Sequence, residues 1–449
     1  MTRAALPAPL DLLDDLLGRA RGGGADAADA VLFTSVDLSV ARRLGQPEGI
    51  ERAEAREVGL RVFRGRRQAI ASSTDLSTQA LESLVERVLG MAAVVPEDPH
   101  CGLVDEALLA RDWPDLDLAD AVEPTPETLV QRAAALEDAA RAVAGVTNSE
   151  GAEASWSRSE IALATSSGFA GAYAGTRHGV GVSVLAGDGT AMERDYDFAS
   201  TRFAADLPDL ETLGRGAGAR AVARLGPRKT PSGRVPVIFD PRIAGGLLRH
   251  FAGAISGPAV ARGTSFLKDA LETPVFAPGV AVIDDPRRAR GLRSKPFDGE
   301  GVATSARSLI VDGVLATWLL DRRSAHQLGL VTTGHAARGT ATPPSPTPTN
   351  LHIAAGAATP EALMADIAGG LYVTELIGMG INPVTGDYSR GATGFWIENG
   401  VRVHPVSELT IAGNLKDMFK ALTPADDLQF RYGIDAPTLR VDGMTVAGR

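Results

Sequence analysis

The sequence predicts an α+β fold in which N-terminal α/β subdomains are followed by a β-rich, barrel-like C-terminal domain. Residues 146–202 alternate between polar and apolar residues, which is typical of antiparallel strands with one solvated face. Two-residue hairpin turns recur between apolar runs in the second half, at Asp312-Gly313, Asn399-Gly400 and Asp442-Gly443. With 50 Gly, 27 Pro and only 5% aromatic residues among 449, the composition favours many turns and short strands.

The first 95 residues predict an N-terminal α/β subdomain. Leucines at helical spacing (Leu10, Leu13, Leu16 and Leu17) predict a first helix, which ends at the glycine run 22–24. The elements expected after it are a strand over 31–40, a hairpin of 50–63 with 68–73, and an amphipathic helix over 77–91. We expect residues 1–95 to form one folding unit.

Residues 96–126 are acidic and interrupted by prolines, which indicates a linker. Beyond it we expect a central α+β subdomain over 127–226, with a helix at 128–144, long antiparallel strands and a second helix at 210–224. The glycine- and proline-rich stretch 226–233 is the best domain boundary, and the β-rich domain then extends over 234–449.

Short elements are expected in this last domain. A strand at 235–239 is followed by Asp240-Pro241, a helix start, and by an apolar helix over 243–255. A hairpin within 308–319 and a helix over 321–328 come next. The proline-rich segment 341–349 is expected to be an extended loop, because proline cannot donate to a central strand.

Composition excludes several classes of function. The net charge of -10 argues against a broad nucleic-acid surface, which needs concentrated Lys and Arg. Cys101 is the only cysteine, so an intramolecular disulfide or a thiolate metal cluster is impossible. No run of roughly 18 apolar residues and no secretory signal occur, so we expect a cytoplasmic protein that does not span a membrane.

Motifs for nucleophilic catalysis and phosphate binding are also absent from the sequence. There is no Gly-x-Ser-x-Gly elbow, and Cys101 lies in a linker-like stretch, where a bystander thiol is expected. The glycine run 22–24 follows a helix and precedes no Gly-Lys-Ser/Thr. The scattered histidines, His178, His326, His335, His352 and His404, show no metal-binding spacing, and we expect them to be ordinary surface or loop residues.

Several motifs, taken in order, resemble one known family. They are the loop 262–267 (RGTSFL), the segment 348–351 (PTNL) and the stretch 371–418, with its paired turns around Asn382-Pro383, its Ser389-Arg390-Gly391 corner and its helix opening at Gly413-Asn414. In this order they resemble the PmbA/TldE branch of the TldD/PmbA (modulator of DNA gyrase) peptidase family. The resemblance is dense from about residue 235 to 418 and loose before residue 227.

For the TldD branch, this resemblance implies a zinc helix of the form His-Glu-x-x-x-His with a distant cysteine as third ligand. At the matching place this chain has His250, but Phe251 stands where the catalytic Glu would be and Ile255 where the second His would be. No cysteine follows Cys101. A lone imidazole is a poor zinc site, so we expect no metal, no cofactor and no catalytic residue in this chain. His250 is then either a helix-end residue beside a vestigial pocket or a peptide contact in a site completed by a partner.

Two polar loops and one further residue could serve recognition. Arg262 and Thr264 lie in a glycine-containing loop, Asn350 follows the proline-rich loop, and Asn382, Tyr388 and Arg390 belong to a second loop framed by glycines. Such loops are either turn clusters that bond internally and hold the β-rich domain together, or the lining of a site for an extended peptide or a partner subunit. The sequence leaves both open.

The resemblance implies a non-catalytic subunit of a TldD-type zinc metallopeptidase complex. A TldD-like catalytic subunit would carry the zinc, and this chain would help to bind and feed unfolded or precursor peptides. Two alternatives are an autonomous hydrolase with an unrecognised site and a homodimeric peptide-binding module. A homodimer of the isolated chain is compatible with each of these roles.

Overall fold

The structure, a computed structural model, describes residues 8–448. Residues 1–7 and Arg449 lie outside the described part, and with them the start of the predicted N-terminal subdomain and the end of the predicted C-terminal domain. The predicted absence of a secretory signal also depends in part on residues 1–7. None of the helices within residues 8–448 is both long enough and apolar enough to cross a bilayer.

The N-terminal region pairs two helices with three strands. Its elements are α1 (Pro9–Gly22), β1 (Ala27–Arg43), β2 (Gln46–Arg64), β3 (Arg67–Ser73) and α2 (Thr78–Val94). Pro9 occupies the first turn of α1, where a missing N–H costs nothing, and the Ser77 hydroxyl caps α2 by accepting from the Ala80 N–H. The leucines of α1 and α2 are buried together against β1 and β2.

The central region repeats this arrangement. Its elements are α3 (Pro126–Arg141), β4 (Val146–Thr165), β5 (Ala170–Ala186), β6 (Glu193–Thr201) and α4 (Leu210–Ala223). Helices α3 and α4 pack together over β4 and β5 through Leu129, Leu136, Ala217 and Ala221. The alternation predicted for residues 146–202 is thus three antiparallel strands.

Both regions share one antiparallel sheet, ordered β3-β2-β1-β4-β5-β6. Strands β1 and β4 pair without a break from Asp29 opposite Thr165 to Arg42 opposite Ala152. The segment 96–126, predicted as a linker, contains only a 3-10 turn at Glu106–Leu108 and buries Leu116 and Leu118. The segment also contacts the C-terminal region through an isolated bridge between Leu109 and Val302.

The C-terminal region contains many short elements. They are β7 (Gly233–Phe239), α5 (Pro241–Ala254), α6 (Gly257–Ala261), β8 (Val282–Asp284), β9 (Arg307–Val311), β10 (Val314–Leu315), α7 (Arg322–Leu328), β11 (Ala336–Ala337), β12 (Ser345–Pro346), β13 (Leu351–Ile353), α8 (Pro360–Met364), β14 (Gly369–Ile381), β15 (Asp387–Glu398), β16 (Val401–Asn414), α9 (Leu415–Lys420), β17 (Leu422–Pro424), β18 (Ile434–Asp435) and β19 (Leu439–Ala447).

Five of these strands close into a barrel. The order is β7-β14-β15-β16-β19, and β19 pairs both with β16 and with β7, which completes the ring. A second sheet, β10-β9-β8-β13-β18, lies beside it, and one large apolar core serves both. The predicted α+β class and the barrel-like C-terminal domain are confirmed.

One predicted hairpin is wrong. Asp442 and Gly443 lie inside β19, where the pairing with β7 shifts register between Val441 and Met444. Gly443 has φ of +74°, so the Asp-Gly pair forms a bulge within a continuous strand. The same dipeptide chemistry suits a two-residue turn or a bulge, and only the strands available on either side decide between them. The turns at Asp312-Gly313 and Asn399-Gly400 do connect antiparallel strands, as predicted.

A buried ion cluster joins the N-terminal sheet to the C-terminal region. The Asp29 carboxylate on β1 accepts from the guanidiniums of Arg61 on β2 and Arg338 in the C-terminal region, and all three side chains are buried. Nearby, Phe169 of the central region packs edge-on against Phe297 at 4.8 Å between ring centroids. These contacts hold the sheet against the loops around Phe297 and Arg338 of the C-terminal region.

Candidate functional site

Helix α5 carries the residue that the sequence singled out. The Asp240 carboxylate caps its start by accepting from the Arg242 N–H at 3.0 Å, and Pro241 occupies the first turn. Its buried residues are Ala244, Gly245, Leu247, Leu248, Phe251, Ala252 and Ala254. This spacing places one apolar face of the helix against the barrel core. His250 lies at the edge of that face and is half-buried.

The positions of the vestigial pocket are filled with hydrocarbon. Phe251 and Ile255 are both 0% exposed. The Phe251 ring packs edge-on against Phe276, at 5.2 Å between centroids, and against Phe419, at 6.1 Å. These side chains are part of the close-packed core, where they leave no room for water or an ion.

His250 lies beside Tyr388 and Arg390, two residues of β15. The His250 and Tyr388 rings are 6.2 Å apart, tilted by 69°. Burial, with Arg390 and Arg249 nearby, lowers the pKa of His250 to about 4, so the imidazole is neutral at physiological pH. Burial also raises the pKa of Tyr388, whose hydroxyl is buried and has no hydrogen-bond partner within residues 8–448.

The residues present do not fit a zinc ion. Within the described chain there is no group of three or more His, Cys, Asp or Glu side chains that could hold a metal. A zinc site uses three or four protein ligands, and a hydrolytic one also needs a general base for its water. Among the described residues, no further metal ligand accompanies His250. Positions 251 and 255 carry the buried Phe251 and Ile255 instead of a carboxylate and a second ligand.

The structure brings the two predicted polar loops together. The Phe266 N–H donates to the Pro383 carbonyl at 2.9 Å, which joins the 262–267 loop to the tip of the β14–β15 hairpin. Arg262 and Thr264 are exposed on the first loop. On the second, the Asn382 side-chain oxygen accepts from the Val384 N–H at 2.9 Å and shapes the turn. Both loops therefore border the same end of the barrel as Tyr388.

Arg390 and Asn350 have different surroundings. Arg390 is half-buried, and its Nε donates to the Ile377 carbonyl at 3.3 Å. Asn350 is buried on another loop, where its amide donates to the Asp285 carbonyl and to the Ser294 hydroxyl, each at 2.7 Å. Both donors of the Asn350 amide are thus used inside the chain, and its contribution is to hold the 285–294 loop.

Sequence reasoning missed two features. His100 and His326, far apart in sequence, bring their Nδ1 atoms to 2.9 Å. His178 is buried on β5, so the expectation that it is a surface or loop residue is wrong, whereas His335 is a loop residue but is buried. The second missed feature is a cleft lined by arginines from the central and C-terminal regions, including Arg202 and Arg288. The spacing of residues in the sequence does not predict this cleft, because its walls come from segments that are far apart in the chain.

One known protein family matches this chain over most of its length. Profiles described as PmbA/TldA metallopeptidase domain 1, central domain and C-terminal domain match residues 28–92, 119–225 and 232–448. Metalloprotease PmbA of Escherichia coli O157:H7 is 38% identical over 429 residues, covering 95% of this chain and 93% of that protein.

Solved structures show the same fold. A candidate modulator of DNA gyrase from Bacteroides thetaiotaomicron superposes with a TM-score of 0.89 at 26% identity, covering 98% of both chains. TldE from Thermococcus kodakarensis superposes with a TM-score of 0.87 at 19% identity, covering 97% of this chain and 100% of that one, and this likeness bears on the fold alone. By sequence and by fold, the chain belongs to the PmbA/TldD family of metallopeptidases.

Proposed function

We propose that this chain is a non-catalytic, TldE/PmbA-like subunit of a TldD-type zinc metallopeptidase complex, in which it helps to bind and feed unfolded or precursor peptides. The observation that carries the proposal is the burial of Phe251 and Ile255 at 0% exposure directly beside His250. In a metallopeptidase family, this helix has hydrocarbon where hydrolysis needs a base and a ligand.

The remaining polar groups suit binding better than bond cleavage. A neutral His250 can donate one hydrogen bond and accept another, and the buried Tyr388 hydroxyl can do the same. Arg390 adds a guanidinium beside both rings. Main-chain amides of an extended peptide offer matching donors and acceptors whatever their side chains, which suits a subunit that handles varied unfolded segments.

The test combines the purified chain with a TldD-like protein from the same organism. Hydrolysis of an unstructured, fluorogenic peptide is measured for each protein alone and for the mixture, with zinc content and molar mass determined in parallel. We expect the chain alone to be inactive and free of stoichiometric zinc. The mixture should form a hetero-oligomer and cleave faster than the partner alone.

Two results would contradict the proposal in different ways. Stoichiometric zinc with turnover by the chain alone would favour an autonomous hydrolase. A stable homodimer that binds peptide but neither associates with nor activates the TldD-like protein would favour a peptide-binding module. Chelator treatment of the mixture is the control that separates zinc-dependent cleavage from a contaminating protease.

A further inference from the structure

A cleft lies between the central and C-terminal regions, where β6 ends. Its volume is about 230 Å³. Its charged lining consists of Arg202, Arg288, Arg290, Arg431, Asp206 and Asp435. We call it the Arg288 cleft. It is separate from the residues around His250, and the sequence motifs do not include its arginines.

Arg288 is held in position without a carboxylate. Its guanidinium carbon lies 3.5 Å from the centroid of the Phe430 ring, and Phe430 packs edge-on against His352 at 4.9 Å. Within residues 8–448 no acceptor or acidic group pairs with the Arg288 guanidinium, which is half-buried. Stacking on an aromatic face leaves the in-plane N–H donors free, and these donors match a carboxylate bidentately.

Arg202 adds a second cation that has no anionic partner within residues 8–448. Its guanidinium donates to the carbonyls of Gly291 at 3.2 Å, Leu292 at 2.7 Å and Thr176 at 3.1 Å. Burial, reinforced by Arg177, lowers the pKa of Arg202 to about 10. A buried charge without a counterion is costly, and a bound anion would relieve that cost.

The carboxylates of the cleft are already engaged. Asp206 pairs with Arg290 at 3.1 Å, and Asp435 accepts the N–H groups of Tyr432 at 2.8 Å and Gly433 at 3.0 Å. Among the described residues, the guanidiniums of Arg202 and Arg288 therefore have no carboxylate partner, although the net charge of the chain is -10. The buried Ser200 hydroxyl, which also lines the cleft, has no partner in the described part of the chain.

The loop that carries Arg288 is rigidly supported. The Ser294 hydroxyl donates to the Arg288 carbonyl at 2.6 Å and accepts from the Asn350 amide at 2.7 Å. Asn350 is thus a positioning residue for Arg288. A preorganised guanidinium loses less conformational entropy on binding, which favours its use as a recognition group.

We propose that the Arg288 cleft binds a carboxylate of the peptide that this chain handles, either an acidic side chain or the chain terminus. The inference rests on the proposed peptide-binding function and names the chemistry that the peptide must bring. A volume of about 230 Å³ accommodates one side chain or a chain end, and it excludes a folded element.

The experiment measures peptide affinity by fluorescence polarisation with the full chain. The probes are four labelled Gly/Ser-rich peptides. One carries a pair of glutamates and one carries glutamines instead, and each is used with a free and with an amidated C-terminus. The variants are Arg288→Gln and the matched control Arg287→Gln, which removes the same charge from an exposed neighbour that does not line the cleft.

We expect Arg288→Gln to weaken binding of the acidic peptide about tenfold, the scale of a lost charge-assisted hydrogen bond, while Arg287→Gln changes it less than about twofold. Loss of affinity on Glu-to-Gln exchange assigns the carboxylate to a side chain, and loss on amidation assigns it to the chain end. Either outcome supports the proposal.

Equal losses in the two variants, or equal affinity of wild type for acidic and fully neutral peptides, would overturn it. So would an Arg288→Gln variant that binds peptide normally but no longer associates with the TldD-like protein, because the cleft would then belong to a subunit interface. Peptide affinity is measured without the partner, so failure of the mixing experiment leaves this result interpretable. Arg288→Lys, which keeps the charge but loses the planar fork, should retain the fold and lose part of the affinity.

Discussion

The surroundings of His250 and the Arg288 cleft differ in the side chains that form them. Around His250, the positions expected to hold ligands are occupied by Phe251 and Ile255, which are 0% exposed. In the Arg288 cleft, guanidiniums stay half-buried without carboxylate partners and are held by an aromatic ring and by backbone carbonyls. Apolar packing therefore surrounds His250, while the Arg288 cleft keeps positive charge partly out of water, which is costly. That contrast is what a binding subunit without its own hydrolytic centre would show.

The largest effect is expected from Phe251→Ala. Removing a fully buried aromatic ring that packs edge-on against Phe276 and Phe419 should lower the free energy of unfolding by about 3–5 kcal/mol. Urea denaturation followed by circular dichroism measures this loss. Phe430→Ala, at a ring that is 40% exposed, is the matched control and should cost clearly less stability. A Phe251→Ala variant of wild-type stability would mean that the site around His250 is open rather than packed.

A smaller effect on stability, accompanied by a change in binding, is expected from Asn350→Ala. The substitution removes the amide that donates to the Ser294 hydroxyl and to the Asp285 carbonyl, which should cost about 1–3 kcal/mol. Because Ser294 positions the loop of Arg288, affinity for the acidic peptide should also fall, whereas affinity for its neutral counterpart should not. Loss of stability with unchanged preference for the acidic peptide would separate Asn350 from the cleft.

The smallest effect concerns pH. The folded-state pKa of His250 is lowered to about 4 from an ordinary value near 6.5, so the neutral ring is favoured in the folded chain. Its contribution to stability is therefore present above about pH 6.5 and is lost as the pH falls toward about 4. In His250→Gln this part of the acid sensitivity should disappear, by about 1 kcal/mol because solvent reaches the half-buried ring.

The measurement is the difference in unfolding free energy between wild type and variant at neutral and at acidic pH. His404→Gln on β16 is the control for replacing a histidine as such. Equal acid sensitivity in wild type and His250→Gln would show that the ring of His250 is well solvated. The surroundings of His250 would then differ less from the Arg288 cleft in their exposure to water.

Local features of the fold were predictable because their causes are local. Apolar spacing and the Asp240-Pro241 start predicted α5 almost residue for residue, and the Asn399-Gly400 turn predicted the β15–β16 hairpin. The same logic failed at Asp442-Gly443, where a bulge uses the same dipeptide. An Asp-Gly or Asn-Gly pair shows only which backbone conformation is permitted at that point. Whether the pair forms a hairpin turn or a bulge depends on which strands pair with its own strand across the barrel.

Part of the candidate site could likewise be predicted from the sequence, and part could not. The absence of the His-Glu-x-x-x-His pattern at His250 is visible in the sequence, as is the cluster of polar residues near Arg390. That Asn350 supports a loop from inside, and that Tyr388 buries its hydroxyl beside His250, follow only from contacts between segments far apart. The pairing of β1 with β4, across more than a hundred residues, belongs to the same class.

By itself the sequence determined which side chains occupy positions 250, 251 and 255, since a side chain that is not encoded cannot coordinate a metal or take up a proton from water. It also determined the α+β class, through periodicities that act within a few residues. Only the tertiary structure decided where charge stays without a partner, because the environment of a guanidinium depends on distant segments that fold around it. Arg202 and Arg288 are ordinary arginines in the printed sequence and become a binding hypothesis only when β6 and the 288–292 loop enclose one cleft.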